Sequence, residues 1–336
     1  MHKGFCETFC LGVFVAKNKM NLLNDLNMIA EKIYIKAKTV EEAIQAAKSN
    51  GDNFCFLAGG TDVLVNKFQG TEEATCLIDI TGIEELKNVT TDGNFLKIGS
   101  LIKLDDLKKH EAITMNFPAL LEAAHQAASP MLRKTATIGG NILCENRCSF
   151  FNQSEFWREA VGYCLKCEGD VCIATGGKKA CFSKFVSDTA PVLISANAQL
   201  EISNENGSKI IPLESIYTGD GINPRNLPKL ALIKNIVLPL DKNFKIIFKK
   251  LRPREAVDFT SLTTAVSIDQ FGDIKIVLGG IDPKPVVVAG SMNDKKEELI
   301  KQALKQSRIV DNDYYSRAYR KEMITVFLNQ SFEELK

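Results

Sequence analysis

The segment FLAGGTDVLV, residues 56–65, sets an apolar run against the pair Gly59-Gly60 and resumes apolar residues after Thr61 and Asp62. That order reads as a strand, a tight glycine turn and a following element. A second pair lies in TATIGGN, residues 135–141, where Gly139-Gly140 follows Thr137 and Ile138. Glycine pairs behind strands let backbone N–H groups approach a ligand closely, so a diphosphate can be cradled without a basic side chain. Taken singly, each turn reads as an ordinary tight turn. Neither has the G-x-G-x-x-G spacing of a dinucleotide fingerprint or the G-x-x-x-x-G-K-[ST] of a P-loop, so those two readings fail on spacing.

Around these turns the chain is a mixture of strands and helices. KIYIKA (32–37) reads as a strand, and Thr39 with Glu42 makes a capping box opening a helix that Gly51 closes. CLIDI (76–80) and FLKIGS (95–100) read as short strands, LDDLKKH and PALLEAAHQAAS as helices. PVLISANAQLEIS, from Pro191, reads as two β-like runs. The loop GDGINPRNLPK is the best boundary in the second half, and beyond it ALIKNIVLP, FKIIFKKL and DIKIVLGGI read as strands, followed by two helical segments. A compact α+β domain closes the chain.

Composition narrows the function classes. The 336 residues are 45% hydrophobic and 25% charged, which suits two or three ordinary domains and excludes disorder. With 42 basic against 41 acidic residues and no basic block, nucleic-acid binding is disfavoured. The three histidines, His2, His110 and His125, leave little for a histidine-based metal site or triad. No stretch approaches the roughly 20 apolar residues of a membrane span. The N-terminal apolar run is interrupted by Glu7 and leads into Lys17 and Lys19 without a cleavage site, so a cytoplasmic protein is expected, with residues 1–27 an extension and Met20 or Met28 as possible starts. Six of the ten cysteines fall between 144 and 181, in a polar and aromatic stretch that breaks the strand–helix rhythm like an insertion. In a chain that is not exported, clustered cysteines favour metal ligation over disulfides.

FLAGGTDVLV, TATIGGN and SDTAP (187–191), in that order, together with KLRPREAVD (250–258) and LGGIDPKPV (278–286), resemble the FAD-binding subunit of the molybdenum hydroxylases, the group of xanthine dehydrogenase, carbon monoxide dehydrogenase and 4-hydroxybenzoyl-CoA reductase. The resemblance implies an α+β chain: a PCMH-type FAD-binding fold of two α/β lobes over 28–220, then a CO-dehydrogenase-flavoprotein-like α+β domain over 221–336. It implies that Leu57, Ala58, Gly59, Gly60, Thr61, Asp62, Val63 and Leu64 wrap the FAD diphosphate, with side-chain contacts from Thr61 and Asp62. Thr137, Ile138, Gly139, Gly140 and Asn141 would form the second diphosphate loop. Asp188 would accept from sugar or ribityl hydroxyls, Ile233 would lie against the isoalloxazine, and Lys249 would stand near its pyrimidine end. Without the cofactor, Ile233 reads as core and Lys249 as a solvated strand lysine. Many members carry threonine after the strand that FLKIGS represents; this chain has Ser100 in that region.

The insertion, 144–186, follows the TIGGN loop directly, as in the 4-hydroxybenzoyl-CoA reductase branch, where it carries a [4Fe–4S] cluster. Matching positions implies Cys148, Cys164, Cys172 and Cys181 as ligands, leaving Cys144 and Cys167, with a swap of either leftover into the set still open. The expected role is an electron conduit without a substrate site or catalytic residue of its own. Its partners would be a molybdenum-cofactor chain, a small chain with two [2Fe–2S] clusters and a ferredoxin-like carrier, in a hetero-oligomer. Arg147, Arg158, Lys166, Lys178, Lys179 and Lys184, with Phe150, Phe151 and Trp157, are expected to give the insertion a surface suited to an acidic carrier. The competing readings are a xanthine-dehydrogenase-like subunit exchanging electrons with NAD, and a zinc-stapled interaction module.

Overall fold

The computed structural model describes residues 32–336; the N-terminal run with its charged interruptions lies outside the described residues. The strands, in chain order, are β1 (Ile33–Lys36), β2 (Phe54–Leu57), β3 (Cys76–Asp79), β4 (Val89–Asp92), β5 (Phe95–Gly99), β6 (Gln199–Asn204), β7 (Gly207–Pro212), β8 (Leu232–Pro239), β9 (Lys245–Leu251), β10 (Leu262–Ile268), β11 (Asp273–Gly279) and β12 (Val286–Ser291). The helices are α1 (Val40–Ser49), α2 (Val63–Phe68), α3 (Glu111–Asn116), α4 (Pro118–Gln126), α5 (Pro130–Arg133), α6 (Ile138–Ile142), α7 (Glu155–Val161), α8 (Thr189–Ser195), α9 (Lys296–Gln306) and α10 (Arg317–Leu335).

They build three sheets. The first lobe is a parallel sheet of order β1-β3-β2. Helix α1 packs on it with Val40, Ala43, Ile44 and Ala47, a helical stripe facing the core. Its start is fixed by Thr39, whose hydroxyl accepts from the Glu42 amide at 3.1 Å while the Glu42 carboxylate accepts from the Lys38 amide at 2.8 Å. The second lobe is an antiparallel sheet of order β4-β5-β8-β6-β7. The third, β12-β11-β10-β9, carries α9 and α10 against its buried face.

Two expectations are corrected here. Strand β8 lies beyond the Gly219–Lys229 loop yet sits at the centre of the second sheet, between β5 and β6, so the division at 220 cuts a sheet and the boundary falls after Pro239. The run PVLIS belongs to α8, not to a strand. All seven residues of α8 are buried, between α4, α6 and the third sheet. A short helix buried on every side shows no polar face, so its apolar run imitates a central strand. Pro191 falls in its first turn, where a missing N–H is tolerated.

The core of the second lobe is continuous with the third sheet through Phe248, Ala265 and Val277, so these two units share one apolar interior. The insertion contains only α7, a short 3-10 turn and isolated bridges, and it is closed at its neck by reciprocal backbone hydrogen bonds between Arg147 and Lys184, at 2.9 and 2.8 Å.

Candidate cofactor cavities

A cavity of about 330 Å³ runs between the two lobes. It is lined by Ala58 to Val63, by Thr137, Gly139, Gly140 and Asn141, and by Asp188 and Ile233. Leu57, Leu64 and Ile138 stay behind these loops and do not line it, Ile138 being fully buried in the core and Leu64 half exposed.

The two glycine loops close on the cavity by direct contact. A Cβ on Gly59 would stand 2.1 Å from the Thr135 carbonyl oxygen, and one on Gly139 would stand 2.9 Å from that of Ser100. Neither has the positive φ that would itself select glycine. Their lack of a side chain is needed for backbone approach, not for conformation. The loops differ in the state of their amides. Those of Ile138, Gly139, Gly140 and Asn141 all donate within the protein, to Ile102, Ser100, the Thr137 hydroxyl and Thr137. Those of Gly59, Gly60, Thr61 and Asp62 have no acceptor among the described residues. A row of unpartnered amides beside a cavity is the donor set an anionic diphosphate needs.

The SDTAP segment is tied to the second loop through Asn141, whose Oδ1 accepts from the Ser187 hydroxyl at 2.9 Å and the Thr189 hydroxyl at 2.7 Å. Asp188 projects beside it with one oxygen on Lys250 Nζ at 2.8 Å and the other buried without a partner. Burial pushes its carboxyl up, against the pull of Lys250. The Ser100 hydroxyl is likewise buried, unpartnered and on the cavity wall. Orphaned acceptors and donors of this kind mark where a polar ligand completes the structure, and with the free amides they fit FAD.

Lys249 is outside this arrangement. Its Nζ pairs with Glu334 at 2.6 Å, and it does not line the cavity. The next residue, Lys250, does not line the cavity either but is the one that reaches Asp188, with its side chain fully buried and further bonds to the Gln126 and Asp258 carbonyls at 2.9 and 3.1 Å. Sequence reading missed Lys250 because adjacent strand residues face opposite ways and the pair KK carries no signal for parity.

Asp62 also departs from expectation. It lines the cavity, but one carboxylate oxygen pairs with Arg147 and the other accepts from the Glu145 amide at 2.9 Å and from Asn66 at 3.3 Å. Both oxygens are held by neighbouring protein groups, including the start of the insertion.

A much smaller cavity of about 10 Å³ lies inside the insertion, lined by Cys148, Cys164, Cys172 and Cys181 together with Phe150, Phe151 and Ile173. Among the described residues no group of His, Cys, Asp or Glu is drawn together as for a metal ion. The thiols stand around the walls. Burial pushes Cys148 up to about 11 and Cys181 also upward. Of the two remaining thiols, Cys144 lines the large cavity, where burial lifts it to about 12, and Cys167 is half buried against Cys164. The insertion's basic residues do not form the expected outward surface: Arg147, Arg158, Lys166 and Lys184 have side chains 3–8% exposed and paired with Asp62, Glu155, Glu145 and Asp313. Only Lys178 and Lys179 face outward. The methylene stems and charges serve the insertion's own packing.

No helix among the described residues is long and apolar enough to cross a membrane. Residues 26–241 match the family described as the FAD binding domain in molybdopterin dehydrogenase. The chain is 32% identical over 254 residues to the aldehyde oxidoreductase FAD-binding subunit PaoB of Escherichia coli, covering 73% of this chain and 79% of that one. It is 26% identical over 259 residues, 75% of each chain, to the xanthine dehydrogenase FAD-binding subunit of the same species. Its fold matches that of a chain of the Cu,Mo-CO dehydrogenase with a TM-score of 0.70, at 18% identity and over 90% of this chain and 96% of that one. With a lobe-to-lobe cavity, amides free for a diphosphate and these matches in hand, the chain belongs to the molybdenum hydroxylase family as its FAD-binding medium subunit, a flavoprotein component of oxidoreductases.

Proposed function

We propose that this chain is an electron-transfer subunit carrying both FAD and a [4Fe–4S] cluster, within a molybdenum-containing complex of the 4-hydroxybenzoyl-CoA reductase type. The observation that carries the reading is the convergence of Cys148, Cys164, Cys172 and Cys181 on one cavity, with Cys144 on the wall of the other. A tetrahedral zinc site needs its thiolates about 2.3 Å from a single point. Thiols spread around a cavity wall suit a polynuclear centre better.

In this reading the amides of residues 59–62 hold the diphosphate, Asp188 and Ser100 meet hydroxyl groups through their free oxygens, and Lys250 keeps Asp188 oriented. Ile233 supplies an apolar wall and excludes water from that side of the cavity. The four cysteines hold the cluster, while Phe150, Phe151 and Ile173 keep it dry. When bound, the cluster supplies single electrons and the flavin one- or two-electron steps. The substrate would be bound by a molybdenum-bearing partner, and electrons would pass between that partner and the flavin through a two-[2Fe–2S] chain, with a ferredoxin-like carrier as the external one-electron partner. The named relatives are themselves FAD-binding subunits, which supports a hetero-oligomer.

Anaerobic purification of the full chain tests this. Flavin absorption with about four iron and four sulfide per chain is expected; a yellow protein holding zinc, or flavin with no metal, would overturn the cluster assignment.

A further inference from the structure

Asp62 presents a difficulty that the first glycine loop must solve. It stands beside the unpartnered amides and on the cavity wall, where a carboxylate would repel an incoming diphosphate. Arg147 removes the difficulty. Its side chain is 8% exposed and its guanidinium is paired with Asp62.

Two contacts keep Arg147 there, both from outside the first lobe, and its neighbour in the chain is anchored as well. Its backbone is clamped to Lys184 across the neck of the insertion. Its guanidinium lies 4.6 Å from the centroid of the Phe259 ring, on the loop that follows β9. Its neighbour Cys148 lines the cysteine cavity, with its amide held by Asn152 at 3.0 Å.

We propose that Arg147 is a positioning residue through which FAD retention by the first glycine loop depends on the cysteine insertion: it neutralises Asp62 and so admits the diphosphate. This rests on the reading that residues 59–62 receive that diphosphate. The insertion is then a structural element of the flavin site as well as a container for metal, and disturbing the Cys148 end of it is felt at the flavin through one ion pair.

Flavin-stripped full-length chain, titrated with FAD and followed by fluorescence, tests the idea. Arg147→Ala should bind FAD at least about tenfold more weakly, since an unpaired carboxylate is left at the cavity wall. Arg147→Lys should recover part of the loss. The double variant D62N/R147A should return to within about threefold of the wild type, because the two substitutions are coupled. Wild-type affinity in R147A, or a double variant as weak as R147A, overturns the proposal. Should R147A fail to fold, D62N alone decides: affinity equal to or tighter than the wild type is expected, and a loss overturns it. Iron content of the wild-type chain tests the cluster reading separately, and normal FAD binding by Gly59→Val would refute the loop assignment itself.

Discussion

Gly59 and Gly139 show how far a single residue type can be read. Their clustering with hydroxyl and amide neighbours is visible along the chain. What makes them glycine is the backbone of another segment, Thr135 for one and Ser100 for the other, and contacts between segments are not written in local order. The distances set a ranking. Gly59→Ala places a methyl group 2.1 Å from a carbonyl oxygen, which the loops can relieve only by separating, whereas Gly140→Ala meets just the Thr137 hydroxyl at 3.0 Å. Gly59→Ala should therefore lose about 1–3 kcal/mol and release its FAD on desalting. Gly140→Ala should lose less and stay yellow; equal behaviour of the two variants would contradict the geometry. Lys250 marks the limit at this scale, hidden by strand parity, whereas Ser100 is visible only through the family position it occupies.

At the scale of elements, strands with alternating burial and helices with a stripe were legible, and elements buried on every side were not. Helix α1 was found by its capping pair and its apolar spacing, while α8 was mistaken for a strand because burial on all sides erased its period. Strands β10 and β12 went unread, although both pair fully in the third sheet. The connection from β10 to β11 turns on Asp269, whose side chain is 1% exposed. One of its oxygens accepts from the Phe271 and Asp273 amides at 2.9 and 3.1 Å, and the other pairs with Lys242 at 3.2 Å. Burial raises this carboxyl, but the two amides and Lys242 more than offset it and hold it below its usual range. A carboxyl with a lowered native pKa stabilises the fold fully above its unfolded value and loses that contribution as the pH falls through the native one. Asp269→Ala should thus cost about 2 kcal/mol at neutral pH, and its thermal midpoint should converge with that of the wild type as the pH drops below about 3.9. A difference that holds constant across the titration would exclude this role.

Across the whole molecule, the family resemblance implies two lobes and a closing domain but not how they are stitched together. The boundary drawn at a Pro- and Asn-rich loop failed because β8 crosses it to complete the second sheet, a pairing between residues 98 and 236 that no local pattern announces. The same holds for the insertion, four of whose six named basic residues look in the sequence like a solvent-facing surface and are instead turned inward. Its anchors include the segment between α9 and α10: the Asn312 carbonyl accepts from the Ser149 amide, the Asn312 amide group donates to the Phe182 carbonyl, and Asp313 pairs with Lys184. These two residues are translated long after the last of the four cavity cysteines. During synthesis the cysteines emerge first and wait, without their clamp, for nearly all of the remaining chain. If the proposed cluster is present, its acquisition is timed to the end of translation: ribosome-bound chains stalled before residue 312 should carry no iron, whereas chains stalled with the complete sequence outside the tunnel should.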